Sequence, residues 1–108
     1  MKINPTPELY ITGSVITREV RIGDEVIKPT ESQKIINHTP DGFNWGYAGS
    51  GPSQLALAIL LRVTTHEKAL KMYAVFKSEI IARLPKEEDF SMAVEDVKKW
   101  IEGREVFW

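Results

Sequence analysis

The chain has no cysteine, only two histidines and four aspartates among its 108 residues. Disulfides and thiolate metal centres are therefore excluded, and a zinc site would have to assemble from scattered ligands without an HExxH frame. Charge of one sign is also missing. Fourteen Lys and Arg oppose fifteen Asp and Glu, for a net charge of −1, and neither half of the chain departs from balance. The basic footprint of a nucleic-acid binder is absent, so nucleic acid is not an expected partner. No apolar run is long enough to cross a bilayer, and no secretory pattern opens the chain. The expectation is a cytoplasmic protein of one domain, 1–108, with no membrane partner.

What is present concentrates in residues 37–61, NHTPDGFNWGYAGSGPSQLALAILL. Seven consecutive apolar residues, Leu55 to Leu61, point to a helix buried on all sides. Alanines and leucines favour helix over the competing parallel-strand reading. Pro52 suits the first helical position, which makes Gly51 the N-cap and lets Gln54 reach back to it. The predicted helix is 52–63. Gly46, Gly49 and Gly51 precede it, and free N–H groups at a helix start beside a glycine-rich loop can hold an anion. The glycine spacing fits neither the P-loop nor the dinucleotide fingerprint. The glycines therefore either make a tight loop-to-helix turn or also hold a ligand. Phe43, Trp45 and Tyr47 fall on one side if that stretch is extended, where they either fill a core or stack a flat ligand. Thr39-Pro40-Asp41-Gly42 reads as a type I turn.

The remainder reads as α+β. A three-stranded antiparallel meander is expected over the first 28 residues. Its parts are Leu9–Thr12, an alternating strand Val15–Ile22 in which Arg18 interrupts the apolar side, and Glu25–Lys28 after a Gly23-Asp24 turn. Pro29–Lys34 reads as a polar connector that closes the 1–36 section; Ile35-Ile36 fits either a brief strand or one helical turn. A second helix starts from a capping box, Thr64 to Glu67, carries Ala69, Tyr73, Phe76, Ile80 and Leu84 on one stripe, and ends at Pro85. After a charged connector, Lys86–Asp89, a third helix is capped by Ser91 and stopped by Gly103. The meander is expected to pack on this three-helix part, 52–103, with 37–51 as the glycine and aromatic loop and 104–108 as a tail. Phe107 and Trp108 in that tail suit either the protein's own core or a homodimer contact.

The central run, with Phe76-Lys77 and Ala82-Arg83-Leu84-Pro85 downstream, resembles an uncharacterised bacterial and phage family, domain of unknown function 6166. The resemblance runs from about Tyr10 onward. It implies small standalone proteins, often on mobile elements, and no established activity. Asn37, His38, Trp45, Tyr47, Ser50 and Gln54 fall on the family's motif. Ala48 stands where many members carry Gly.

Three functional classes follow. A non-catalytic binding protein would hold an anionic or nucleotide-like ligand with Asn37, His38, Trp45, Tyr47, Gly49, Ser50, Gly51, Ser53 and Gln54. A protein-interaction module, regulatory or antidefence, would meet a host protein through the aromatic loop and the tail. An enzyme would use His38 as base, Ser50 as nucleophile and Asp41 to orient the histidine. GSG lacks the nucleophile-elbow frame, so the binding reading leads, with no catalytic residue, metal or cofactor expected.

Overall fold

The computed structural model describes residues 9–105. The order of elements is β1 (Tyr10–Gly13), β2 (Val20–Ile22), β3 (Glu25–Ile27), α1 (Pro29–Ile35), α2 (Ser50–Val63), α3 (His66–Glu79), a 3-10 turn (Ile81–Arg83), β4 (Phe90–Ala93) and α4 (Val94–Glu105). The fold is α+β, and the N-terminal meander is present. It is extended by a fourth strand: β4 pairs antiparallel with β1, so the sheet order is β3-β2-β1-β4.

The apolar face of the sheet is built by Ile11, Val20 and Ile27, all buried, and it joins one core with α2. From Gln54 to Leu60 every residue of α2 is buried. This is the behaviour expected of a helix apolar on all sides, since each face needs a partner. α3 is its most extensive neighbour, and α1 and α4 also pack on it. Gly13 sits opposite Phe90 in the register, and a Cβ there would lie 2.2 Å from the phenyl ring. The missing side chain lets the ring lie across the strand, an aromatic covering a glycine.

Several local expectations give way to tertiary structure. The long strand Val15–Ile22 shrinks to Val20–Ile22, because residues 14–19 close a tight loop. Arg18 N–H donates to Ser14 O at 2.7 Å, and Arg18 takes a left-handed φ of 61°. Ile16, within the expected strand, is instead 90% exposed. Gly23 does turn the next hairpin, with φ 59°. The polar connector is a helix, α1, with Pro29 at its start, Glu31 in its first turn and Lys34 in its last. α2 begins two residues early, at Ser50 with Gly49 as N-cap, so Gln54 makes no capping box. The cap of α3 is Thr65, whose hydroxyl accepts from Lys68 N–H; Thr64 closes α2 instead. α3 ends at Glu79, well before Pro85. Ser91 lies within β4 rather than capping a helix, and α4 runs through Gly103 to Glu105. The tail residues Phe107 and Trp108 lie outside the described residues.

One ion-pair cluster ties the hairpin to the helices. Arg62, in the last turn of α2, grips both Glu25 oxygens at 2.9 and 2.7 Å, with Glu31 of α1 at 3.6 Å. The hydrogen bonds from Arg62, then its charge, hold the Glu25 carboxyl below its ordinary range; slight desolvation opposes them. A depressed carboxyl contributes stability that is fully present above its unfolded-state pKa and is lost as pH falls through the folded-state value. In urea titrations the gap between the wild-type and Glu25→Gln midpoints should stay constant from neutral pH down to the ordinary glutamate range, then close below it. A gap that ignores pH would show that the pair contributes nothing.

Candidate functional site

The glycine and aromatic loop lies in the groove between the β1–β2 turn, the head of α2 and the connector after the 3-10 turn. Gly46 makes that docking feasible. Its φ is 84°, its N–H donates to Ile81 O at 3.0 Å, and a Cβ would stand 2.4 Å from the Lys86 Cα. Only a residue without a side chain can take that backbone and approach so closely. Trp45, next to it, is fully buried. Its Nε1–H donates to Glu88 O at 3.1 Å, and Phe90 meets its ring edge-on with centroids 4.7 Å apart. Arg18 covers the ring, its Cζ 4.6 Å from the centroid.

Tyr47, the third aromatic, stays exposed. Its ring packs against Gly49, where a Cβ would fall 2.6 Å away, and Lys86 Nζ sits 5.2 Å from its centroid. The Tyr47 hydroxyl reaches Gly51, buried in the first turn of α2. Phe43 is buried. Core packing thus claims Phe43 and Trp45, and Tyr47 alone is left to face solvent.

At the head of α2 a cavity of about 630 Å³ opens, with Arg18, Asn44, Tyr47, Ser50 and Gly51 among its walls. Ser50 and Gly51 are the first two helical residues. Their N–H groups have no acceptor inside the helix, and the helix dipole is positive there. Arg18 adds a cation. Its Nη2 donates to Lys86 O at 3.2 Å, while Nη1, shut off from solvent, has no partner among the described residues. An unpaired buried guanidinium nitrogen on a residue with left-handed backbone is costly on both counts.

The other expected site residues divide between frame and surface. Gln54 is fully buried. Its Oε1 accepts from His38 N–H at 2.8 Å and Thr39 N–H at 3.4 Å; its Nε2 donates to Ser32 Oγ at 2.9 Å and Ile36 O at 3.0 Å. It is the buckle of the 36–39 loop. His38 is hydrogen-bonded through Nε2 to the Tyr73 hydroxyl at 3.0 Å. Neither Ser50 nor Asp41 is a hydrogen-bond partner of the imidazole. Asn37 is exposed, and Ser53, half-buried, donates its N–H to Gly49 O. The structure therefore brings Tyr47, Ser50 and Gly51 to one cavity and leaves Asn37, His38, Trp45, Ser53 and Gln54 out of its walls. Arg18, which lines the cavity, and the 86–89 connector, which receives Arg18, Trp45 and Gly46, are not among the residues the sequence pointed to. The only sequence signal for Arg18 was its intrusion on an apolar face.

The model of a family of unknown function, DUF6166, matches residues 10–103. The chain belongs to DUF6166. Gly46, in the WGY of the DUF6166 resemblance, abuts Lys86 and bonds Ile81, the two residues that flank the ARLP at Ala82–Pro85. No curated protein and no solved structure matches the chain significantly. No helix among the described residues is long and apolar enough to cross a membrane, and they contain no cluster of metal-ligating side chains.

Proposed function

We propose that this DUF6166 member is a non-catalytic cytoplasmic binding protein whose cavity at the head of α2 takes a small ligand through an anionic group. The observation that carries it is one cavity walled both by Arg18 and by Ser50 and Gly51, the first two residues of α2. Helix starts and guanidinium groups both hold oxyanions. A phosphate-bearing, nucleotide-like ligand fits the donors. Gly49 and the Lys86 ammonium, 5.2 Å from the ring centroid, already lie against the Tyr47 ring.

Ser50→Asp tests this without endangering the fold. An acidic residue in the first turn suits the helix dipole, yet sets a negative charge where the anion would sit. Inorganic phosphate and AMP should each raise the melting temperature of the wild type saturably, and Ser50→Asp should abolish that rise while melting normally alone. No rise in the wild type at millimolar probe overturns the reading.

A second reading, a regulatory or antidefence interaction module of a mobile element, draws on one observation. Ile16, 90% exposed, tips the β1–β2 turn beside the same cavity. It becomes the leading reading if neither anion binds and Ile16→Ser dissolves a complex with a host protein.

A further inference from the structure

We infer that the free edge of β4 takes up an extended basic peptide as an added strand, at a surface that shares no wall with the cavity at the head of α2. The sheet order β3-β2-β1-β4 leaves β4 with a neighbour on one side only among the described residues. The register fixes which main-chain groups are left over. Val94 N–H donates to Leu9 O at 2.9 Å, and the pairs Ile11↔Met92 and Gly13↔Phe90 follow at the two-residue interval of an antiparallel ladder. Phe90 and Met92 therefore direct their N–H and C=O groups to β1, and those of Ser91 point away from the sheet. Ser91 is exposed, whereas Ala93 is buried at the junction with α4, where the open stretch ends.

A cavity of about 450 Å³ flanks this edge. Thr12, Arg21 and Ser91, all exposed and opposite one another in the register, place it on the outer face of the sheet. Its charged walls are Glu19, Arg21 and Asp89. Glu19 holds Arg21 at 2.9 Å, and Asp89 accepts the Val15 N–H at 2.6 Å, so the three sum to one negative charge. The strand itself is set in an acidic run. Residues 87–96 carry Glu87, Glu88, Asp89, Glu95 and Asp96 and no Lys or Arg. Of the bordering cations, Lys86 stands over Tyr47 and Lys98 lines a cavity against Val63 and Thr64. With Lys99 also counted, residues 86–99 set three lysines against five carboxylates.

The two features together select the occupant. An unpaired strand edge recognises main chain, and a pocket beside it reads every second side chain. The acidic surround attracts a segment that carries Lys or Arg and repels an anionic one. A second copy of β4 would bring the acidic run beside itself, and like charges on neighbouring strands are destabilising. Lysines on alternate residues of the added strand would lie on the outer face, over Asp89 and the cavity.

Fluorescence anisotropy with a labelled peptide, acetyl-Lys-Val-Thr-Val-Lys-Val-amide, tests this on the full chain at low ionic strength. The peptide should bind saturably, and its counterpart with glutamate in place of both lysines should not. Methylating every backbone nitrogen of the peptide keeps its charges and removes the donors a strand needs, and should abolish binding. Ser91→Pro removes a main-chain N–H that the ladder does not use, a change edge strands tolerate. It should melt like the wild type and no longer bind the peptide; the methylated probe decides the matter if that variant fails to fold. Failure of the lysine peptide to bind overturns the inference. Equal binding of the methylated peptide, or equal binding by folded Ser91→Pro, overturns it as well, since charge attraction alone would then be at work. A dimer in analytical ultracentrifugation that Ser91→Pro dissolves would assign the edge to a second copy and overturn it too.

Discussion

Replacing Trp45 by alanine should cost about 3–5 kcal/mol, the range for removing a large aromatic from a packed core. Three losses combine. The ring has no exposed surface, so its removal opens a cavity between the loop and Phe90. Glu88 O loses its indole donor. Arg18 loses the face on which its guanidinium rests, leaving a half-buried cation with less support. A marginally stable domain holds about 5–15 kcal/mol in total, so the urea midpoint should fall by roughly a fifth or more. Trp45→Phe separates the contributions. It keeps most of the apolar volume and removes the N–H, and should cost about 1–2 kcal/mol. An alanine variant that melts within a degree of the wild type would show that the Trp45 ring is not part of the core. The consequence for function is direct: Trp45 variants cannot test ligand binding, because they test the fold first.

The second large effect is expected at Gln54. Gln54→Leu preserves roughly the side-chain volume and deletes every hydrogen bond, so packing loss is set aside. His38 N–H and Ile36 C=O then face a side chain that can neither accept nor donate. Each buried group left unpaired costs about 1–3 kcal/mol, and the variant should lose about 2–4 kcal/mol. The damage should be local as well as global. Native-state hydrogen exchange should show the amide of His38 released while amides in the middle of α3 track only the drop in global stability. Unchanged protection at His38 would mean that the 36–39 loop is held by something other than the glutamine.

The elements legible in the sequence were those whose signal is local. α2 announced itself by its unbroken apolar run, and α3 by Ala69 and Phe76 at helical spacing; the Gly23 hairpin needed only its two central residues. β4 was not legible. Phe90–Ala93 is a strand because β1, some eighty residues earlier, offers it an edge and Gly13 offers a seat for Phe90. Nothing in FSMA carries that information, and Ser91 looked like a helix cap for want of it. α1 was missed for the opposite reason. Its proline start and first-turn glutamate were visible, but a short polar helix has no apolar stripe to reveal it. The site divided in the same way. Tyr47, Ser50 and Gly51 line one cavity, where the glycines and the helix start mark the place, whereas the side-chain hydrogen bonds of Trp45 and Gln54 go to the frame. Arg18 stands out in the sequence only as a break in an apolar face, because its partners are Trp45, 27 positions on, and the backbone of Lys86, 68 positions on.

The sheet order β3-β2-β1-β4 also bears on how the chain comes to be folded. While it is being synthesised, β1 can pair with β2 as soon as both have left the ribosome, but its other edge must wait for Phe90–Ala93. For most of its birth the polypeptide therefore carries an open strand edge, the kind of template that invites association with other chains. Closing so long a loop is entropically slow, which makes the arrival of the last strand the natural slow step and the interval before it the period of greatest exposure to aggregation.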